Sequence, residues 1–224
     1  MLKIELSASS PIGDFSLSKL QFRHVGAIAS LVFISLLYSW SGLPSHHAIP
    51  NCWEGFLWGI ANPVIALDRL AGIVAIGLLS AGIVGGTLVA ASFVLASVLG
   101  MVIYLFWLNL PGAEIAIAIS SMLFGTMLIL TNRPNWLIVA LLGAIAGLFQ
   151  GYSDGQSIMS AGILPSFAYI LGVTVTQYAV AMSAREIGNT ISSNNINRIV
   201  PRTILFVGFA FCAIGIVFLK SSLN

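Results

Sequence analysis

Seven apolar stretches follow one another along this chain, at about residues 25–40, 53–82, 86–108, 113–130, 136–150, 160–182 and 202–219. A bilayer crossing needs ~20 largely apolar residues, and in lipid an isolated segment satisfies its backbone only as a helix. Charge points the same way: 7% of the 224 residues are charged and 58% are hydrophobic, whereas a soluble domain carries about a quarter charged residues. Such a chain cannot solvate its own surface. The expectation is an all-α, polytopic transmembrane helix bundle with the lipid bilayer as its first partner. A net charge of +2 gives no footing for a nucleic acid. Cys52 and Cys212 fall on unrelated stretches, so no disulfide framework is expected.

The reading divides the chain into a polar N-terminal tail (1–23), a first helix (24–43), a six-helix transmembrane domain (53–219) and a short C-terminal tail (220–224). The first helix reads either as a signal peptide or as a retained signal-anchor. A basic region precedes it and small residues follow, but the polar lead is long and the cleavage site poor. Breakers mark the connections: Gly85-Gly86, 109–112, 132–135, 151–155 and a polar loop over 183–202. The stretch at 53–82 is interrupted by Asn62-Pro63, where a missing backbone donor predicts a kink or break.

Basic residues fix an expected orientation. With the N-terminus cytoplasmic and seven crossings, Lys3, Lys19, Arg23, Arg133, Arg185, Arg198 and Arg202 share the cytoplasmic side, and Lys220 lies opposite. That is the positive-inside pattern, N-in and C-out. It places His46, His47, Glu54 and Asp154 towards the outer face. Gly143, Gly147 and Gly151 recur every four residues, and Gly208 and Gly215 lie two turns apart. Small residues let helices approach closely in lipid, so these read as contacts within the bundle, with a dimer face as the lesser alternative.

Against this background Asp68 and Arg69 stand out. A charge at the centre of a spanning helix costs roughly 2.5–3.5 kcal/mol on insertion scales. As sequence neighbours they point about 100° apart on a helix, so each wants its own partner. Asp154, in a glycine-flanked turn, is a candidate for Arg69; the alternative is a solvated loop acid and an arginine snorkelling to the interface. Glu114 opens a helix after Leu110-Pro111-Gly112, where the dipole favours an acid. His46 and His47, with Cys52 and Glu54 downstream, are candidate metal ligands at a surface site, although adjacent histidines need further ordered ligands to close a coordination sphere.

The stretch from about Gly55 to Met182 resembles the HupE/UreJ family, membrane proteins associated with hydrogenase and urease operons and regarded as nickel or cobalt permeases. The resemblance runs through Gly55-Phe56, Asn62-Pro63, Leu67-Asp68-Arg69-Leu70-Ala71, Gly77-Leu78, Leu110-Pro111-Gly112-Ala113-Glu114, Ser120, Gly125 and Phe149-Gln150-Gly151-Tyr152-Ser153-Asp154-Gly155. It implies a bacterial inner or internal membrane, a permease-like bundle and a transported divalent metal ion. The family's first motif is a histidine, five residues, then Asp-His, and those positions here read Asn62, Asp68 and Arg69. Its second motif places histidines where this chain has Gln150 and Asp154. Every imidazole of the two motifs is replaced, while Asp68 stays. Imidazole suits nickel, and a guanidinium has no lone pair to ligate any cation.

The polar cluster expected from these positions is Asn62, Asp68, Arg69, Glu114, Gln150 and Asp154, with Arg69 standing where the family holds a cation. Two functions fit: a transporter of a small ion or polar solute with altered selectivity, or a non-transporting membrane subunit or assembly factor of a larger complex; the protein partners expected are those of a membrane complex or further copies in a homo-oligomer. An intramembrane aspartyl enzyme on Asp68 and Asp154 has no supporting motif, and Arg69 beside one acid holds it ionised where the chemistry needs two acids sharing a proton. No enzyme is expected.

Overall fold

The computed structural model describes residues 12–41, 49–106, 108, 110, 112–130, 135–158, 161–193 and 199–223. Within them the chain is all helix: α1 (Ile12–Ser41), α2 (Cys52–Ile65), α3 (Leu67–Leu79), α4 (Gly86–Leu105), α5 (Ala113–Ile129), α6 (Trp136–Gly155), α7 (Ile163–Ser193) and α8 (Ile199–Leu223). Four segments are long and apolar enough to cross a membrane alone: Gly86–Leu105, Trp136–Ile158, Ile163–Ile191 and Leu205–Ser222. α2 and α3 together make a fifth, bent by 77° at its break. α1, through Arg23–Tyr38, and α5 are shorter apolar helices.

Three close helix pairs build the bundle, and glycines set their directions. On α6, Gly147 lies against the backbone of Phe93, Gly151 against that of Ser97 and Gly155 against the Tyr104 ring, so α6 runs parallel to α4. Gly55 meets Pro165 and Gly59 meets Tyr169, which makes α2 parallel to α7. Gly125 meets Gly208, and Gly215 meets Ala118 and Met122, which makes α5 antiparallel to α8. Alternating crossings of the seven apolar stretches give the same three directions.

A methyl group at Gly151 would overlap the Ser97 carbonyl, with the Ser97 Cα only 2.6 Å away. Backbone cannot swing aside as a flexible side chain can. Gly151→Ala is therefore expected to cost about 1–3 kcal/mol by overpacking, at the upper end of that range. Gly26→Ala, with nothing within 4 Å of the added carbon, is expected to be neutral or slightly stabilising. Thermal unfolding of the two variants in one detergent checks the contrast.

Several sequence expectations shift. The chain does not break at Asn62-Pro63. Both residues are helical in α2, and the direction changes at Ala66 (φ −82°, ψ 110°). Pro63 removes one backbone donor, but its neighbours keep helical geometry, and the chain turns three residues on. Residues 151–155 are the last turn of α6 rather than a connection, and residues 183–193 continue α7 rather than forming a loop. In lipid these glycines serve close packing, so they do not end the helix. Helix α1 begins at Ile12, well before residue 24. The histidine pair His46 and His47 lies outside the described residues.

The break at Ala66 takes the Ile65 carbonyl out of the helical ladder. Ser35 of α1 supplies the missing donor, its hydroxyl lying 3.1 Å from that oxygen. Ser35 is fully buried while Phe33, Ile34, Leu36 and Leu37 around it are exposed. An unpaired carbonyl in hydrocarbon costs several kcal/mol, so this contact ties α1 to the point where the bundle most needs a donor.

Candidate functional site

The break brings two polar side chains together from its two flanks: Asn62 from the last turns of α2 and Arg69 from the first turn of α3. Facing them is α6, where Gln150, Ser153 and Asp154 recur at three- and four-residue spacing and so share one face of the helix. α7 closes the cluster with Tyr169 and Gln177. Val173 lies between these two on the same four-residue stripe and is also fully buried.

Asp154 is the centre. Its carboxylate is 0% exposed and receives donors from three other helices. Arg69 Nη1 lies 2.8 Å from Oδ1, and Asn62 Nδ2 donates to the same oxygen at 3.1 Å. Gln177 Nε2 donates to Oδ2 at 3.3 Å. The Asn62 amide also donates to the Tyr169 hydroxyl, which in turn donates to the Asp154 backbone carbonyl at 3.3 Å. Arg69 Nη2 reaches the Ser153 hydroxyl at 3.2 Å and its carbonyl at 3.4 Å. Gln150 Nε2 donates to the Arg69 backbone carbonyl at 3.4 Å. The guanidinium is thus held on two of its nitrogens, and both carboxylate oxygens are engaged. A charge pair at membrane depth persists only in such company, because desolvation of each ion must be offset by the partner and by further hydrogen bonds.

Of the six residues expected in a polar cluster, the structure joins Asn62, Arg69, Gln150 and Asp154 directly. Asp68 lies beside them, half-buried in the first turn of α3, and makes no hydrogen bond or ion pair among the described residues. Glu114 makes no direct contact with the cluster: it is exposed at the start of α5 and accepts from the Ser222 hydroxyl of α8 at 3.5 Å, while its charge still acts on Arg69. Asp154 is not a solvated loop acid, because α6 continues one turn further than its glycines suggest. Ser153, Tyr169 and Gln177 were not expected. The signal for the last two was a pair of polar residues on one stripe of an apolar helix.

No three His, Cys, Asp or Glu side chains among the described residues are placed to hold a metal ion. The donor set explains this: the cluster's one buried carboxylate already accepts three hydrogen bonds, and its cation is covalently part of the chain.

Apolar helices surrounding an internal polar cluster at a helix break define a polytopic membrane protein. A family model described as "HupE / UreJ protein" matches residues 34–218. The chain belongs to the HupE/UreJ family, a permease-like and accessory family of membrane proteins related to nickel and cobalt transport. No curated protein and no solved structure matches it. Asn62, Arg69, Gln150 and Asp154, the positions at which the resemblance leads one to expect histidine, come from three helices and converge on one another.

Proposed function

We propose that this chain is a permease of the HupE/UreJ type whose divalent-cation site is filled by its own guanidinium, so that it carries a small ion or polar solute other than nickel or cobalt. The observation that carries this reading is the 2.8 Å contact between Arg69 and Asp154, formed between two positions where the family motifs have histidine. A fixed positive charge repels a divalent cation, and arginine has no lone pair to offer one. Support for transport comes from the broken α2–α3 segment. Transporter sites cluster at such breaks, where half-helices present polar groups inside the bilayer. Arg69 and Asp154 neutralise each other, which leaves the Asp68 carboxylate as the unbalanced charge at the site. That favours a monovalent cation, a proton-coupled solute or a neutral polar molecule.

The orientation goes with this reading: N-terminus cytoplasmic, C-terminus opposite, in a bacterial inner or internal membrane, with α1 retained through its Ser35 contact. Uptake of labelled nickel, cobalt and manganese into cells expressing the chain tests it. Nickel and cobalt accumulation no higher than in cells with empty vector is expected. Uptake of either metal, lost in Asp68→Asn, would sink the reading.

A second reading is favoured by one observation, the complete enclosure of Asp154. A fully buried carboxylate engaged at both oxygens suits a scaffold, a non-transporting membrane subunit or assembly factor. Purification in mild detergent separates the two. Co-purification with a larger complex supports the scaffold, and a clean monomer or small homo-oligomer supports the permease.

A further inference from the structure

Two buried oxygens near the ion pair have no partner among the described residues: the Ser97 hydroxyl on α4 and the Gln177 Oε1 on α7. Both side chains are 0% exposed. Asp154 orients the Gln177 amide. Its Nε2 donates to Oδ2 at 3.3 Å, and the reversed amide would set an oxygen against a carboxylate, so Oε1 turns away from the pair. Ser97 is as telling. A hydroxyl within a helix can fall back on a carbonyl of the preceding turn, as Ser92, Ser121, Ser166 and Thr174 do here. Ser97 does not.

The two oxygens belong to one layer. Met101 packs in a single cluster with Tyr169 and Val173. Ser97 lies one turn before Met101 on α4, and Gln177 one turn after Val173 on α7, each on the same face of its helix. Alternating crossings set these helices in opposite directions, so both steps lead the same way. Ser97 also lies against Gly151, the turn before Asp154. The two oxygens do not bond each other. A buried polar group left unpaired costs its full desolvation, so a third group that can donate to Gln177 Oε1 suits the layer.

Charge decides what that group is. Beyond the layer the buried walls are apolar, with Ile73 and Ile76 of α3, Phe93 of α4, and Val180, Ala181 and Ala184 of α7. The next charged residue along α7 is Arg185, eight residues on, or about 12 Å of helix. Its Nε is buried beside Gly86 at the start of α4, and its guanidinium is 3.7 Å from the exposed Glu186. A cation drawn in by Asp68 would cross apolar walls and then meet a guanidinium.

We propose that Ser97 and Gln177 form a second binding layer for an uncharged hydrogen-bond donor, water at rest and the cargo in transit. This rests on the permease reading and narrows it: the cargo is a small neutral molecule with N–H or O–H groups. Its donor meets Gln177 Oε1, while the Ser97 hydroxyl gives or receives a second hydrogen bond.

Proteoliposomes holding the full chain test the proposal, by light scattering in gradients of acetamide and glycerol and by ion-sensitive dyes in gradients of potassium and ammonium. Uptake of at least one neutral probe faster than in protein-free vesicles is expected, with both cations at the protein-free rate. Ser97→Ala is expected to slow that uptake by about threefold to tenfold, the worth of one hydrogen bond, and Gln177→Leu by at least as much. Ser97→Ala also has a readout that needs no transport. Losing a hydroxyl bonded to a guest lowers the unfolding midpoint, whereas losing an idle buried one leaves it unchanged or raises it. A midpoint that does not fall, or neutral uptake unchanged in both folded variants, overturns the layer and leaves the permease reading standing. Potassium or ammonium uptake by the unaltered chain does the same. No uptake of any of the four probes overturns both.

Discussion

Asp154→Ala is expected to lower the stability of the bundle by about 3–5 kcal/mol, the cost of leaving a buried charge without its partner. The Arg69 side chain is only 15% exposed, so it has little water to turn to when the carboxylate is gone. Asn62 and Gln177 lose their acceptor in the same step, which adds unsatisfied donors to an unpaired cation. Arg69→Met alone is expected to be damaging for the converse reason. Arg69→Met combined with Asp154→Leu removes both charges at similar volume, and such replacements are often neutral or stabilising. Here the double variant recovers only part of the loss, because Asn62 and Gln177 remain without a carboxylate to bond. Unfolding of the four proteins in one detergent gives the coupling between the two residues. Additive single effects would mean that the contact does not hold the bundle.

The second large effect is a gain. Asn62→His, Arg69→His, Gln150→His and Asp154→His together restore the imidazoles of both family motifs around the unchanged Asp68. The four side chains already converge, through contacts spanning 81 to 92 residues of sequence. Imidazole is a good nickel donor, and with Arg69 replaced the site no longer holds a cation of its own. Saturable nickel binding by the purified quadruple variant is expected where the unaltered chain shows none. Adding Asp68→Asn to the four is expected to weaken that binding. A quadruple variant that folds yet ignores nickel would mean that the converging positions do not form a metal-sized site.

The fold was legible in the sequence because lipid leaves one solution for an apolar stretch. Each of the seven stretches contains or overlaps an observed helix. The details that escaped have a common cause: glycine and proline punctuate soluble chains but do other work in a membrane. Gly151 and Gly155 looked like the end of a span, yet they let α6 lie against α4 and carry Asp154 into the bundle. Pro63 marked a break that appears at Ala66, so Asn62 sits on a helix and not in an unwound turn. At the site, Arg69 and Asp154 were conspicuous as charges among apolar neighbours, and the family motifs joined them across the sequence. Tyr169 and Gln177 carried only the weaker mark of two polar residues on one stripe of an apolar helix, which says nothing about which helix they will face. Glu114, grouped with the cluster by its place in a motif, touches none of its side chains: it is exposed at the start of α5, near enough for its charge to act on Arg69.

Crystals of the purified chain grown with nickel, measured at the nickel absorption edge, address the ion pair most directly. Continuous density from the Arg69 guanidinium to the Asp154 carboxylate, with no anomalous peak among Asn62, Asp68, Gln150 and Asp154, is the result expected of a site closed by its own cation. A nickel peak at bonding distance from the Asp68 or Asp154 oxygens, with Arg69 swung away, would contradict it.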